Sequence, residues 1–239
     1  MGRYKKLKTN NYKYYDLMMA AFVTVLITAN IIGPAKISQL DLPIFGVITF
    51  GAGVLFFPIS FIFGDILTEV YGYAASRRVI WTGFAGLAFA SLMAWVVVAL
   101  PPAPFWKNQE VYEIAFGSAW RVALAGLIAF AAGEFVNSFV MAKMKIWTKG
   151  KHLWTRTIGS TIFGEGVDSI LFYPLAFYNS GVIPNDKLML VVVAQFLAKT
   201  GVEVVFTPIT YKIIRFLKAK EKIDFYDTKT NFNPFNLKI

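Results

Sequence analysis

The sequence predicts an all-α, polytopic integral membrane protein of six transmembrane helices, and three observations carry that prediction. The chain is 56% hydrophobic and only 16% charged, with a mean hydropathy of +0.55. Apolar windows of bilayer-crossing length recur six times along it. Its Lys and Arg residues crowd into alternate connections. A chain of 239 residues with so few charges has too little polar surface to coat a water-soluble globule of its size.

Windows of roughly 20 apolar residues, enough to cross about 30 Å of hydrocarbon, run from Leu17 to Gly33, Ile44 to Leu67, Val79 to Leu100, Ala119 to Met141, Ile158 to Asn179 and Leu188 to Leu217. Connections such as "GPAKISQLDLP", "PPAPFWKNQ" and "NSGVIPNDK" carry the turn formers expected where a chain leaves the bilayer. The expected organisation is a basic N-terminal segment over 1–16, a transporter domain over 17–217 and a polar tail over 218–239, with no room for a second, soluble domain.

Positive charge near a span end stays on the cytoplasmic side. Arg3, Lys5, Lys6, Lys8 and Lys13 precede the first span, Arg77 and Arg78 fill the second connection, and Lys143, Lys145, Lys149, Lys151 and Arg156 fill the fourth. Seven more basic residues follow from Lys212 onward. The other connections hold only Lys36, Lys107 and Lys187, with Arg121 just inside the fourth span. Both termini are therefore expected in the cytoplasm, with the protein in the inner membrane. The net charge of +10 lies in flanks that topology explains, which argues against a nucleic-acid surface.

The first span is too long in its apolar core for a cleavable signal peptide, and "ITANIIGPAKIS" lacks a small-residue cleavage site. The chain has no Cys, and His152 is its only histidine. Disulfides, thiol catalysis and zinc-type intramembrane chemistry therefore lack their residues, and no metal or cofactor is expected.

What hydropathy does not excuse is a set of charges inside the spans: Asp65, Glu134, Glu165, Asp168, Lys199 and Glu203. Each costs a few kcal/mol at the bilayer centre, so such residues face a cavity or each other. At about 1.5 Å of rise per residue, Glu165 and Asp168 lie roughly 10 to 15 Å in from the cytoplasmic side, level with Glu134, Lys199 and Glu203. Asp65 and Glu69 fall nearer the cytoplasmic interface.

The same residues form a repeat. "GEFVNS" over 133–138 matches "GEGVDS" over 164–169, with Asn137 opposite Asp168, in consecutive and so antiparallel spans; "GDILTE" from Gly64 is a weaker copy. Antiparallel copies meeting near the midplane fit an inverted-repeat transporter. Structural readings compete with this one. The small residues fit helix packing, within the chain or in a homodimer. Lys199 and Glu203, four apart, fit an ion pair. Asp65, Glu69, Arg77 and Arg78 fit an interfacial salt-bridge cluster, which can also latch a cytoplasmic gate. Three carboxylates against one lysine cannot all be paired away.

The segments "FPISFIFGDILTEVYGYAASRRVIWTGF", "GEFVNSFVMAKMK", "GEGVDSILFYPLAF" and "KTGVEVVFTPITYKII" resemble, in order, the bacterial queuosine precursor transporter family, six-helix membrane proteins grouped with vitamin uptake transporters. The likeness runs from about Phe57 to Ile214. Gly64 stands where that family often has a hydroxyl residue. The resemblance implies uptake of 7-deazaguanine bases, such as 7-cyano-7-deazaguanine and its aminomethyl relative, for salvage into tRNA modification.

A guanine-like base offers a ring N–H beside an exocyclic amine, and one carboxylate accepts both in a bidentate pair. Glu165 or Asp168 is expected to take that edge, with Glu134 or Glu203 as the second candidate. Lys199, Asn137 and Gln195 are expected to donate to the base carbonyl and the 7-substituent, and Phe163, Tyr173 or Trp81 to stack on the ring. A carboxylate without a ligand can carry a proton, so proton-coupled uptake stands beside facilitated diffusion. The rival classes are a substrate-binding subunit of an energy-coupling-factor transporter, a membrane enzyme using carboxylates as acid and base, and a channel. The end "DTKTNFNPFNLKI" is expected to be a flexible tail without chemistry.

Overall fold

The computed structural model describes residues 12–32, 37–42, 46–117 and 120–236. The basic residues Arg3, Lys5, Lys6, Lys8 and Lys36 lie outside them. Seven helices follow in chain order: α1 (Tyr15–Ile32), α2 (Phe57–Tyr71), α3 (Tyr73–Ala99), α4 (Gln109–Phe116), α5 (Trp120–Trp147), α6 (Leu153–Phe177) and α7 (Leu188–Glu221). Helices α1, α3, α5 and α7 lie in stretches long and apolar enough to cross a membrane. Five of the six expected spans fall on helices, with ends shifted by a few residues.

The inside and outside of the bundle are reversed relative to a soluble protein. Phe89, Ile170, Leu190 and Val205 point outward, whereas Asp65, Glu69, Glu134, Arg156 and Glu165 are fully buried. Water would not favour that distribution and lipid does, since apolar side chains meet hydrocarbon while polar groups pair inside. The protein is a multi-pass membrane protein.

The expected span from Ile44 to Leu67 is not one helix. Ile37–Leu42 (β1) and Gly46–Gly51 (β2) pair antiparallel, with Leu40 opposite Ile48. A short 3-10 turn, Ala52–Leu55, then leads to α2. Short apolar runs rich in β-branched residues read alike as strand or helix, and Gly46, Gly51 and Gly53 punctuate this one. Pro58 in the first turn of α2 suits a helix start, where its missing N–H has no partner to lose.

Helices α2 and α3 meet at a single residue, Gly72, with φ 86°. Glycine is needed there twice over: the backbone is left-handed, and the Phe225 ring lies where a Cβ would stand. On the far face of α2, Ile62, Ile66 and Leu67 pack with Phe22 and Leu26 of α1, Val79 and Leu87 of α3 and Phe130 of α5.

The segment after Glu221 is a docked strap, which corrects the expectation of a flexible tail. Both carboxylate oxygens of Asp227 accept the Tyr73 N–H at 3.1 Å, capping a helix whose own N-cap, Gly72, has no side chain to do so. Arg77 Nη1 donates to the carbonyls of Asn231 and Asn233 at 2.7 and 2.8 Å, and the Trp81 indole N–H donates to Pro234 O at 2.7 Å. Tyr226 lies against Gly150, and Lys143 sits 4.0 Å over the Phe232 ring. Burial of Asp227, only partly offset by the Thr230 hydroxyl and the Tyr73 N–H, raises its carboxyl above the usual range.

Asp227→Ala uncaps α3 and is expected to lower stability by about 1 kcal/mol. In detergent this appears as a lower Tm together with faster tryptic cleavage after Lys229; a strap equally resistant in the variant contradicts the docking.

Candidate functional site

The acidic motifs meet where α5 and α6 cross. Moving along the pair, Met141 neighbours Ser160, Asn137 neighbours Gly164, and Gly133 neighbours Asp168, so the helices run antiparallel. A Cβ built on Gly133 would stand 2.9 Å from Asp168 Cβ and 2.9 Å from the Gly164 carbonyl oxygen; one on Gly164 would stand 2.6 Å from Asn137 Cβ and 3.0 Å from the Gly133 carbonyl oxygen. The contacts are reciprocal: the glycine of each motif packs on the fifth residue of the other. The small-residue faces expected to pack helices are used here, within the chain.

Close approach swings the acids inward. Lys199 of α7 bonds Asp168 and lies 3.1 Å from Glu165 Oε2, with its ammonium 4.3 Å over the Phe57 ring. It therefore pairs with α6 and not with Glu203 on its own helix. Glu134 lodges against α2, its Oε1 occupying the space a Cβ on Gly64 would need. Any side chain at Gly64 would collide with this carboxylate. Neither oxygen of Glu134 has a hydrogen-bond partner among the described residues, and the same holds for Glu165 Oε1, Gln195 Oε1 and the hydroxyls of Ser169 and Thr200. Buried polar atoms left unmade are costly, and a group of them on three helices is the mark of a site that a polar ligand completes.

Asp65 of α2 stands beside this group with partners of its own. Its Oδ1 accepts Asn137 Nδ2 at 2.9 Å and the Ser160 hydroxyl at 3.0 Å, and Glu203 lies against it with Thr161 alongside. Tyr173 is buried beside Lys199 and Asp168, its ring against Phe172 and Phe177. Two of the expected stacking residues lie elsewhere. Phe163 is 58% exposed on the outward face of α6. Trp81 packs edge-on or tilted against Phe84, Phe135 and Phe235 under the strap.

The expected cluster of Asp65, Glu69, Arg77 and Arg78 does not form. Asp65 points into the bundle, Arg77 is held by strap carbonyls and Arg78 is exposed. Glu69 instead accepts a bidentate pair from Arg156 of α6, Nε and Nη2 both at 2.8 Å, and meets Lys145 of α5 and Lys218 of α7. Lys145 and Lys218 reach on to Asp224 of the strap at 2.6 and 2.8 Å. Burial works against the Asp224 charge, yet hydrogen bonds from the two lysines hold its carboxyl below the usual range. Counting Arg156, Lys145 and Lys218 only as topology markers hid this role. Ser160, Thr161, Ser169 and Thr200 were also missed, although hydroxyls so near acids in an apolar helix are a readable signal.

The family model described as "Putative vitamin uptake transporter" matches residues 51–213, and this chain belongs to that family. A Bacillus subtilis (strain 168) protein named "Probable queuosine precursor transporter" is 29% identical over 159 residues, which is 66% of this chain and 69% of that protein. An Escherichia coli (strain K12) protein named "Queuosine precursor transporter" is 23% identical over 173 residues, 72% of this chain and 76% of that one. No solved structure matches the chain.

Glu69→Gln leaves Arg156 and Lys145 buried without their shared anion. The expected loss of stability is about 3 to 5 kcal/mol, read as a large fall in Tm of the purified protein; a Tm within a degree of wild type rules out the knot as described.

Proposed function

We propose that this member of the vitamin uptake transporter family imports queuosine precursors across the inner membrane, taking 7-deazaguanine bases such as 7-cyano-7-deazaguanine and its aminomethyl relative for salvage into tRNA modification. One observation carries the reading: Glu134 is buried with both oxygens unpaired, against backbone that only Gly64 leaves open. A guanine-like edge, with a ring N–H beside an exocyclic amine, supplies the two parallel donors such a carboxylate lacks. The names of the relatives agree with that chemistry.

Roles follow from who is already occupied. Asp168 is tied to Lys199, so the donor edge goes to Glu134, with Glu165 as its neighbour. Gln195 is left to meet the base carbonyl or the 7-substituent, Lys199 reaches them only by giving up a bond to Asp168 or Glu165, and Tyr173 supplies a buried ring. The path is built from six spans, α2 and α6 completing the set. α6, with 25 residues, reaches about 37 Å; α2 is shorter and is extended by the turn and hairpin before it. The reciprocal packing of the two motifs supports an inverted repeat, in which halves rock about a central site. Both termini face the cytoplasm, because the basic residues around the Glu69 knot collect at one end of the bundle. Uptake is coupled to protons, because the buried carboxylates outnumber the single lysine among them.

Two measurements test this. Glu134→Gln is expected to bind 7-cyano-7-deazaguanine about tenfold to a hundredfold more weakly by calorimetry, the loss of a charge-assisted bond of about 1.5 to 3 kcal/mol; a cooperatively melting wild type that binds none overturns the substrate. For topology, the absence of native cysteine lets single substitutions report cleanly. An impermeant maleimide is expected to label Lys107→Cys in spheroplasts with an intact inner membrane and Lys229→Cys only after lysis; the reverse pattern inverts the protein.

A further inference from the structure

We propose that Asp65 and Glu203 share one proton and form the coupling site, separate from the carboxylates that take the base. The coupling role rests on the transporter reading; the shared proton does not. Four helices converge on the pair: Asp65 from α2, Glu203 from α7, Asn137 from α5, and Ser160 with Thr161 from α6. Asp65 Oδ1 is satisfied by Asn137 and Ser160. Asp65 Oδ2, Glu203 Oε2 and Asn137 Oδ1 are buried with no hydrogen-bond partner among the described residues. Asp65 and Asn137 are 0% exposed and Glu203 2%, so the pair is closed off from bulk solvent.

Among the described residues no cation pairs with either carboxylate. The ion pairs of the cluster run from Lys199 to Glu165 and Asp168, although Lys199 lies one turn from Glu203. The titratable groups facing the pair are the carboxyls of Glu134 from α5 and Glu165 from α6, with Asp168 and Lys199 bound to each other beyond them. α1 and α3 meet α2 through Phe22, Leu26, Val79 and Leu87. Two bare carboxylates in contact, inside protein and lipid, repel with little screening. One proton turns that repulsion into an O–H···O bond between α2 and α7. Its loss leaves two anions pushing those helices apart. The bond that forms and breaks therefore sits across the boundary that an alternating-access motion must open, and the base site on Glu134 lies beside it.

The first test needs no substrate. Infrared spectra of the purified, ligand-free protein at neutral pH are expected to show a protonated-carboxyl C=O stretch that loses intensity both in Asp65→Asn and in Glu203→Gln, with each variant still melting cooperatively. A band equal in wild type and in both variants, or no band in wild type, overturns the shared proton. In proteoliposomes, an acid-outside gradient is expected to raise wild-type accumulation of 7-cyano-7-deazaguanine about tenfold per pH unit for one proton per base. Asp65→Asn is expected to lose that response while still exchanging labelled for unlabelled base at equal pH. A variant that keeps the gradient response, or a wild type that follows a sodium gradient instead, overturns the coupling role. A wild type that binds no base overturns the substrate reading alone, and the infrared result then decides the proton by itself.

Discussion

Gly133 and Gly164 let the backbones of α5 and α6 approach until each carbonyl lies about where the other residue's side chain would begin. Because the two motifs face each other in opposite directions, that one contact turns Glu134 toward α2 and Glu165 toward α7 at the same level. Asn137 then reaches Asp65, and Asp168 reaches Lys199. A larger residue at either glycine would separate the helices, and the acids would no longer share a compartment. The chemistry of the core is thus a consequence of steric absence: close packing without side chains is what membrane helices use in place of a hydrophobic driving force.

Two collections of buried charge result, and their balance differs. Around Glu69, three cations and a second carboxylate close a network in which every group is paired. Around Glu134, one lysine serves five carboxylates. The first arrangement is what a fixed joint looks like, joining α2, α5, α6, α7 and the strap. The second leaves buried acceptors without partners among the described residues, an arrangement that membrane proteins keep for function rather than for stability. The two lie about one helical turn apart on α2, at Asp65 and Glu69, so the joint sets the position of the acidic cluster from the strap end of the bundle.

Much of this was legible from residues alone. The long apolar windows gave α1, α3, α5, α6 and α7, because a 20-residue apolar run has few other destinies. The matched motifs gave Glu134, Asn137, Glu165 and Asp168, and charge inside a span gave Lys199 and Glu203. The failures have physical reasons. The Ile44 to Leu67 window hid a hairpin, since apolarity does not encode period over a few residues. Phe163 adjoins Gly164 and Glu165 in sequence, yet each helical step turns by about 100°, enough to send its ring outward. Asp65 was assigned to the interface because its span was taken to end at Leu67, whereas α2 continues to Tyr71. Trp81 and Arg77 are engaged by main-chain carbonyls of the strap, and a carbonyl looks the same at every position in a sequence.

The strap also sets an order of events during biosynthesis. Helices α2 and α3 enter the membrane long before residues 224–235 leave the ribosome, and until then the N terminus of α3 is uncapped, Arg77 lacks the carbonyls of Asn231 and Asn233, and Lys145 lacks Asp224. The bundle inserts as a looser assembly and is sealed last, from its C-terminal side, by a segment that reads α3, α5 and α7 together. Translation that stalls before Asp224 yields a chain with its helices made and the Glu69 end of the bundle unfastened.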